Sequence, residues 1–333
     1  MNPSSLIRTA WAATLLSAAM LAPLACAQSP DFPNKRITLV VGFAPGGSND
    51  IIARAIAQPL AQLLEVPVVV ENRVGAAAMI GANHVAKSNP DGYTLLVTSA
   101  SPLVITPQTH DSVPYDAQKD FAGISLIGIT PEALAINPKV PAANLKELLD
   151  LMKNKDLSLA SAGSGGLPHL AIELFRSSAP GARIVHVPYN GAGPAVSDAL
   201  AGHVDGVVMD LPAVSTHIKG GRLRGIALAS DSRSEFLPDL QTSGEQGLPG
   251  FVAVNWIGLL APAKTPPAVI DKLYQALLSV MKTAEVKKML AQSAVQVSLS
   301  ESPAAFQKFM LAEYGKWGKV VKDAGAKGSL SNK

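Results

Sequence analysis

Cysteine is almost missing from this 333-residue chain, with Cys26 its sole example. A disulfide framework is thereby excluded, and so is a metal site built on clustered thiolates. Charge is sparse too. Asp, Glu, Lys and Arg make up 16% of residues and aromatics 5%, against 48% apolar, which excludes an intrinsically disordered chain. The net charge is +3, with Lys and Arg scattered rather than in blocks, so no nucleic-acid stripe is present. That mild positive balance suits a small anionic ligand. Neither G-x-x-x-x-G-K-[ST] nor G-x-G-x-x-G occurs, which argues against a nucleotide. His84, His110, His169, His186, His203 and His217 show no H-E-x-x-H or similar tight spacing, so no metal is expected. Long apolar runs are also wanting. TAWAATLLSAAMLA (9–22) follows Arg8 and is too short to span a bilayer. With Ala25-Cys26-Ala27 behind it, it reads as a signal peptide over residues 1–27, cleaved after Ala27, and the product as an exported, periplasmic protein. Pro23 stands where a lipobox would have Leu, which argues against lipidation at Cys26.

What is present is alternation. ITLVV (37–41), VPVVVEN (66–72) and YTLLVTS (93–99) read as strands, with helices expected over 50–64 and 75–88. Pro59 should kink the first helix or end its first half. A loop through Pro102, Pro107 and Pro114 follows. Later strands are LSLASAG (157–163), RIVHVPY (183–189), VDGVVMD (204–210) and LRGIALAS (223–230), again separated by helices. The pattern is that of an α/β fold with parallel sheets. ISLIGITPEALAINP (124–138) and FVAVNWIGLLAP (251–262) are long, apolar and extended, as two crossings between lobes would be. The expected lobes are 28–130 plus 253–333, and 131–252. Phe306, Phe309, Met310, Tyr314, Trp317 and Val321 recur at helical spacing and should dock the last helix on the core.

Three loops follow strands and open helices. In FAPGGSND (43–50), Phe43, Ala44 and Pro45 lead to Gly46 and Gly47, which allow close backbone approach, while Ser48 and Asn49 add side-chain donors. Asp50 is placed as the N-cap, orienting the turn. A helix start leaves N–H groups unpaired and its dipole favours an anion, and a carboxylate fits such a small uncharged loop. SAGSGGLPH (161–169) repeats the arrangement with Ser161, Ala162, Gly163, Ser164, Gly165 and Gly166, and His169 could face the cleft and donate. VPYNGAG (187–193) contributes Tyr189, Asn190 and Gly191. Asp210 ends another strand, and ligands in open α/β sheets sit beyond the carboxyl ends of strands. Loops facing each other across a cleft could hold an organic acid from both sides. The rival reading is a nucleophile elbow at Ser164, with Ala162 replacing the first glycine, Asp205 or Asp210 as the acid and His217 as the base.

The chain resembles the extracytoplasmic solute-binding proteins of tripartite tricarboxylate transporters, the Bug or TctC-like family. The resemblance rests on FPNKRITLVVGFAPGGSNDIIAR (32–54), VPVVVENRVGA (66–76), NPDGYTLLV (89–97), KDF (119–121), SLASAGSGGLPHLAIELF (158–175), VHVPYNGAGPAVSDALAGHVD (185–205), GRLRGIAL (221–228) and NWIGLLAPAKTP (255–266). It implies a two-lobed Venus-flytrap receptor, type II-like, non-enzymatic and without cofactor. Such a receptor captures a di- or tricarboxylate, acidic amino acid or aromatic acid and delivers it, as a monomer, to membrane permease subunits. Phe43 to Asp50, Ser161 to Gly166 with His169, and Tyr189 to Gly191 carry over as the ligand loops. Asn49, Asn190, Pro168 and the Ala-rich stretch after Gly75 depart from the family's usual residues, so the ligand is not implied. The same chemistry could instead feed a two-component sensor.

Overall fold

The computed structural model describes residues 32–323; the signal-peptide reading, Cys26 included, lies outside the described residues. From Lys35 onward the chain clusters as one compact unit. Strand β1 (Ile37–Val41) leads into helix α1 (Ser48–Leu64). After β2 (Val68–Asn72) come α2 (Met79–Ala86) and β3 (Thr94–Ser99). A short α3 (Thr106–Thr109) precedes the long β4 (Phe121–Ile136). Then follow α4 (Leu145–Met152), β5 (Leu157–Ser161), α5 (Leu167–Ser178), β6 (Ile184–Pro188) and α6 (Ala192–Ala201). Next come β7 (Gly206–Asp210), α7 (Leu211–Lys219), β8 (Arg224–Ala229) and β9 (Val254–Pro262). The chain ends in α8 (Pro267–Met281), α9 (Ala284–Gln292), β10 (Gln296–Val297) and α10 (Pro303–Asp323).

The strands form a mixed sheet in the order β2-β1-β3-β9-β4-β7-β5-β6, with β8 and β10 added on β4. Pairing is parallel at each end, β1 with β2 and β3, and β5 with β6 and β7. It is antiparallel in the middle, where β9 joins β3 to β4. Strand β4 changes company along its length. Up to Pro131 it pairs β9, and from Glu132 it pairs β7 and β8. The chain returns beside it, with Ala253 N donating to Ala229 O and Glu132 N to Ala253 O, both at 2.9 Å. Two lobes joined by two crossing segments result. Apolar β-branched runs such as ITLVV are buried because helices cover the sheet.

Three local expectations need correction. Pro59 does not end helix α1, which runs through it with Pro59 buried, so packing of the buried face offsets the one backbone bond lost. The helix expected over 75–88 begins only at Met79. Ala76, Ala77 and Ala78 all have positive φ (49°, 48° and 73°), and their turn fits the chain against Gly42 and Gly163. The proline-rich stretch after β3 is not all loop. It holds a π-helical turn, Ser101–Ile105, and α3, with Pro102 and Pro107 at helical starts where no N–H is needed. The final helix docks as its spacing implies, with Phe306, Met310, Trp317 and Val321 buried.

Candidate ligand-binding site

The first loop is shaped by Gly46 (φ +93°), and α1 opens at Ser48 with extended Gly47 as its cap. Asp50 is therefore not the N-cap but the third helical residue. Its carboxylate reaches back to accept from Gly46 N (3.1 Å), and also takes Arg54 Nε (2.9 Å) and Asn72 Nδ2 (3.0 Å). Burial raises its pKa, but the bonds from Arg54, Asn72 and Gly46 outweigh that and hold it below the usual carboxylate value. Asn72 also donates to Phe43 O at 3.0 Å. Asp50 thus ties the loop to β2, while the first N–H groups of α1, at Ser48 and Asn49, have no acceptor within the helix.

The second loop spends its donors on its own support. Gly165 N donates to His169 Nδ1 (3.0 Å) and Leu167 N to Ser101 Oγ (2.9 Å). Gly165 O accepts from Thr109 Oγ1 at 3.0 Å. His169 is 1% exposed and stacks on His186, with centroids 3.8 Å apart, and its Nε2 lies 3.6 Å from Glu173 Oε1. It props the loop from behind instead of facing the cleft, the orientation expected from the sequence. His186, whose Nε2 is 2.6 Å from Ser161 Oγ, is lowered to about 3, first by burial and then by His169. The neighbouring His169 is the largest cause holding Glu173 down at about 2.

The third loop meets the first. Ala44 N donates to Asn190 O at 3.1 Å. An ideal Cβ on Gly191 (φ +142°) would lie 2.7 Å from Ala44 N, so only glycine allows this approach. Tyr189 does not enter the cavity. Its hydroxyl donates to Asp198 Oδ2 (2.6 Å), and burial with that carboxylate pushes it to about 12.

One small cavity, about 20 Å³, lies where these loops converge, room for about one water. Phe43, Gly47, Ser48 and Asn49 line it from the first loop, and Ala162, Pro168, Ala192 and Asp210 from the other half. Ala44, Pro45, Gly46, Asp50, Ser161, Gly163, Ser164, Gly165, Gly166, His169, Tyr189, Asn190 and Gly191 do not line it. Sequence reasoning missed Ser99, Ser101 and Asn255, which do line it. Ser99 and Ser101 stand at the carboxyl end of β3, where the strand-end rule already pointed. Asn255 is the lone amide in an apolar crossing strand.

Behind the cavity is a buried polar cluster. Ser48 Oγ donates to Asp210 Oδ2, and Asn255 Nδ2 to Asp210 Oδ1 at 2.9 Å. Asn255 Oδ1 accepts from Trp256 N (3.0 Å) and Ala100 N (3.3 Å). Asp210 is thereby engaged by Ser48 and Asn255 and not by a histidine, unlike the acid of a serine-hydrolase triad. Glu132, the register partner of Asp210 across β4 and β7, is 0% exposed. Burial, then the charge of Asp210, raises its pKa well above the carboxylate range. Neither Glu132 oxygen has a hydrogen-bond partner. Asn49 Oδ1 is also buried without a partner.

A larger groove of about 780 Å³ lies on the surface by Lys35, Arg36, His84 and Lys87. Its charges are solvated, and Lys35 is committed to Asp91 (3.1 Å) and to the Tyr93 ring. Exposed pairs of that kind contribute little. A partnerless buried polar atom is the costlier feature, and each site has one, Asn49 Oδ1 at the small cavity and Asn83 Oδ1 at the groove.

A cleft between two lobes, lined by helix starts, defines a periplasmic-binding-protein class of receptor. Residues 52–326 match the Tripartite tricarboxylate transporter family receptor, and the chain belongs to that family. It is 38% identical over 300 residues to Protein BugT of Bordetella pertussis, covering 89% of this chain and 91% of that one. Among solved structures, periplasmic binding protein BugD superposes with a TM-score of 0.84 at 31% identity, covering 89% of this chain and 99% of that one. Two Rhodopseudomonas palustris proteins are similar at 29% identity. Rpa4515 with adipate gives a TM-score of 0.84 (89% of this chain, 99% of that one), and MatC with bound malate 0.82 (87% and 100%).

Proposed function

We propose that this chain is a non-enzymatic periplasmic receptor that captures one small organic carboxylate between its lobes and presents the closed form to the permease of a tripartite transporter. The supporting observation is the convergence of the first and second glycine loops, from opposite ends of the sheet, on one cavity. On this reading 28–130 plus 253–333 form one lobe, 131–252 the other, and cleavage after Ala27 releases the mature chain. The donors at the start of α1 take the carboxylate, with Ser48 and Ser101 beside them. The second and third loops close over it. Closure then follows from differential affinity, because a ligand touching both lobes binds the closed state better than the open one. Bound adipate and malate in the two similar structures support the ligand class. The test is thermal or urea unfolding against a panel of organic acids. A specific ligand at about 100 times its Kd stabilises by roughly 2.7 kcal/mol. A panel in which no acid stabilises the protein refutes the reading.

A further inference from the structure

Resting on that reading, the polar groups of the cavity narrow the ligand class. Both oxygens of Asp210 accept hydrogen bonds, from Ser48 and Asn255, which is the bonding of a carboxylate. Asp210 is 9% exposed and lines the cavity. Asn49, 4% exposed, lines it too, and its Oδ1 has no partner. No Lys, Arg or His lines it among the described residues, and Arg54, the nearest cation in sequence, is bound to Asp50. A buried carboxylate without a cation and a buried acceptor without a donor are both costly. A plain dicarboxylate would add negative charge beside Asp210 and leave Asn49 Oδ1 unsatisfied.

We propose that Asp210 and Asn49 form a subsite for an ammonium group, so that the preferred ligands are amino acids rather than the corresponding simple acids. An ammonium supplies three N–H donors and the missing positive charge, while the carboxylate of the same ligand takes the α1 start. Glu132 lies behind Asp210, outside the cavity lining, and its burial, then the charge of Asp210, raises its pKa.

The experiment is titration calorimetry at neutral pH with matched pairs: aspartate and succinate, glutamate and glutarate, phenylalanine and 3-phenylpropanoate. The amino member of the binding pair should be at least ten-fold tighter. Asp210→Asn should abolish that preference by weakening the amino acid and sparing or strengthening the simple acid. Glu132→Gln, which keeps the shape of a side chain outside the cavity lining, should keep the wild-type order. Simple acids binding as tightly as their amino partners overturn the subsite while leaving the receptor reading intact. An Asp210→Asn variant that weakens both members equally also overturns the subsite. Absence of binding by every acid overturns the receptor reading itself.

Discussion

Gly193 offers a substitution with opposite expected effects on the fold and on ligand capture. It is the second residue of α6, where alanine is the better helix former by up to about 1 kcal/mol. The ligand-free protein carrying Gly193→Ala should therefore melt at the wild-type temperature or slightly above it. In the structure, however, an ideal Cβ at 193 lies 2.2 Å from Pro45 O and 3.4 Å from Pro45 C. That oxygen belongs to backbone and cannot swing aside like a flexible side chain. The first and third loops would have to part by about 1 Å, and forced repacking of this kind costs about 1–3 kcal/mol. On the proposed closure, in which these loops part when the lobes open, the penalty falls on the closed state that would hold the ligand. Affinity should drop by about 5- to 150-fold. Calorimetry with the tightest acid, alongside melting without ligand, reads both effects. Wild-type affinity in a normally folded variant would refute closure of these two loops as the binding step.

At Gly47 an ideal Cβ makes ordinary contact with Ala192 Cβ at 3.4 Å, so Gly47→Ala should bind nearly as wild type. Gly47→Val should bind at least ten-fold more weakly without losing the fold, which calorimetry and melting will show. Ser101→Ala strands the buried Leu167 N–H and should lower unfolding free energy by about 1–3 kcal/mol in urea titrations. For His186 the folded value, about 3, lies below the ordinary 6.5. Between those values the unfolded chain takes the proton and the folded chain does not, so stability falls as pH drops from 6.5 toward 3. Above 6.5 neither state binds it and nothing is lost. One proton sets a ceiling of about 1.4 kcal/mol per pH unit, reduced by partial exposure. Urea unfolding of His186→Gln from pH 7 to pH 5 should show a shallower loss than wild type, and an identical slope would contradict the argument.

Most strands and the crossing role of β4 were legible because continuous β-branched runs between turn residues have few alternatives. The glycine loops were legible as strand-to-helix turns for the same local reason. Pro59 misled because its cost is local while the burial that offsets it is tertiary. The left-handed Ala76–Ala78 turn carries no glycine to announce it, and only its neighbours Gly42 and Gly163 explain it. At the site, residue type told what each group could do but not which way it faced. His169 and Tyr189 were candidates as donors, yet their partners, Gly165 and Asp198, lie outside the cavity. Asp210 and Asn255 meet only because β7 and β9 both flank β4, a pairing that no local pattern encodes.

The most direct measurement is a crystal structure with the tightest acid of the panel. Its carboxylate should lie within hydrogen-bond reach of the N–H groups at Ser48 and Asn49, with Ala162 and Pro168 closing the far side. A ligand held by one lobe alone, or seated in the groove by Lys35 and Arg36, would contradict the account.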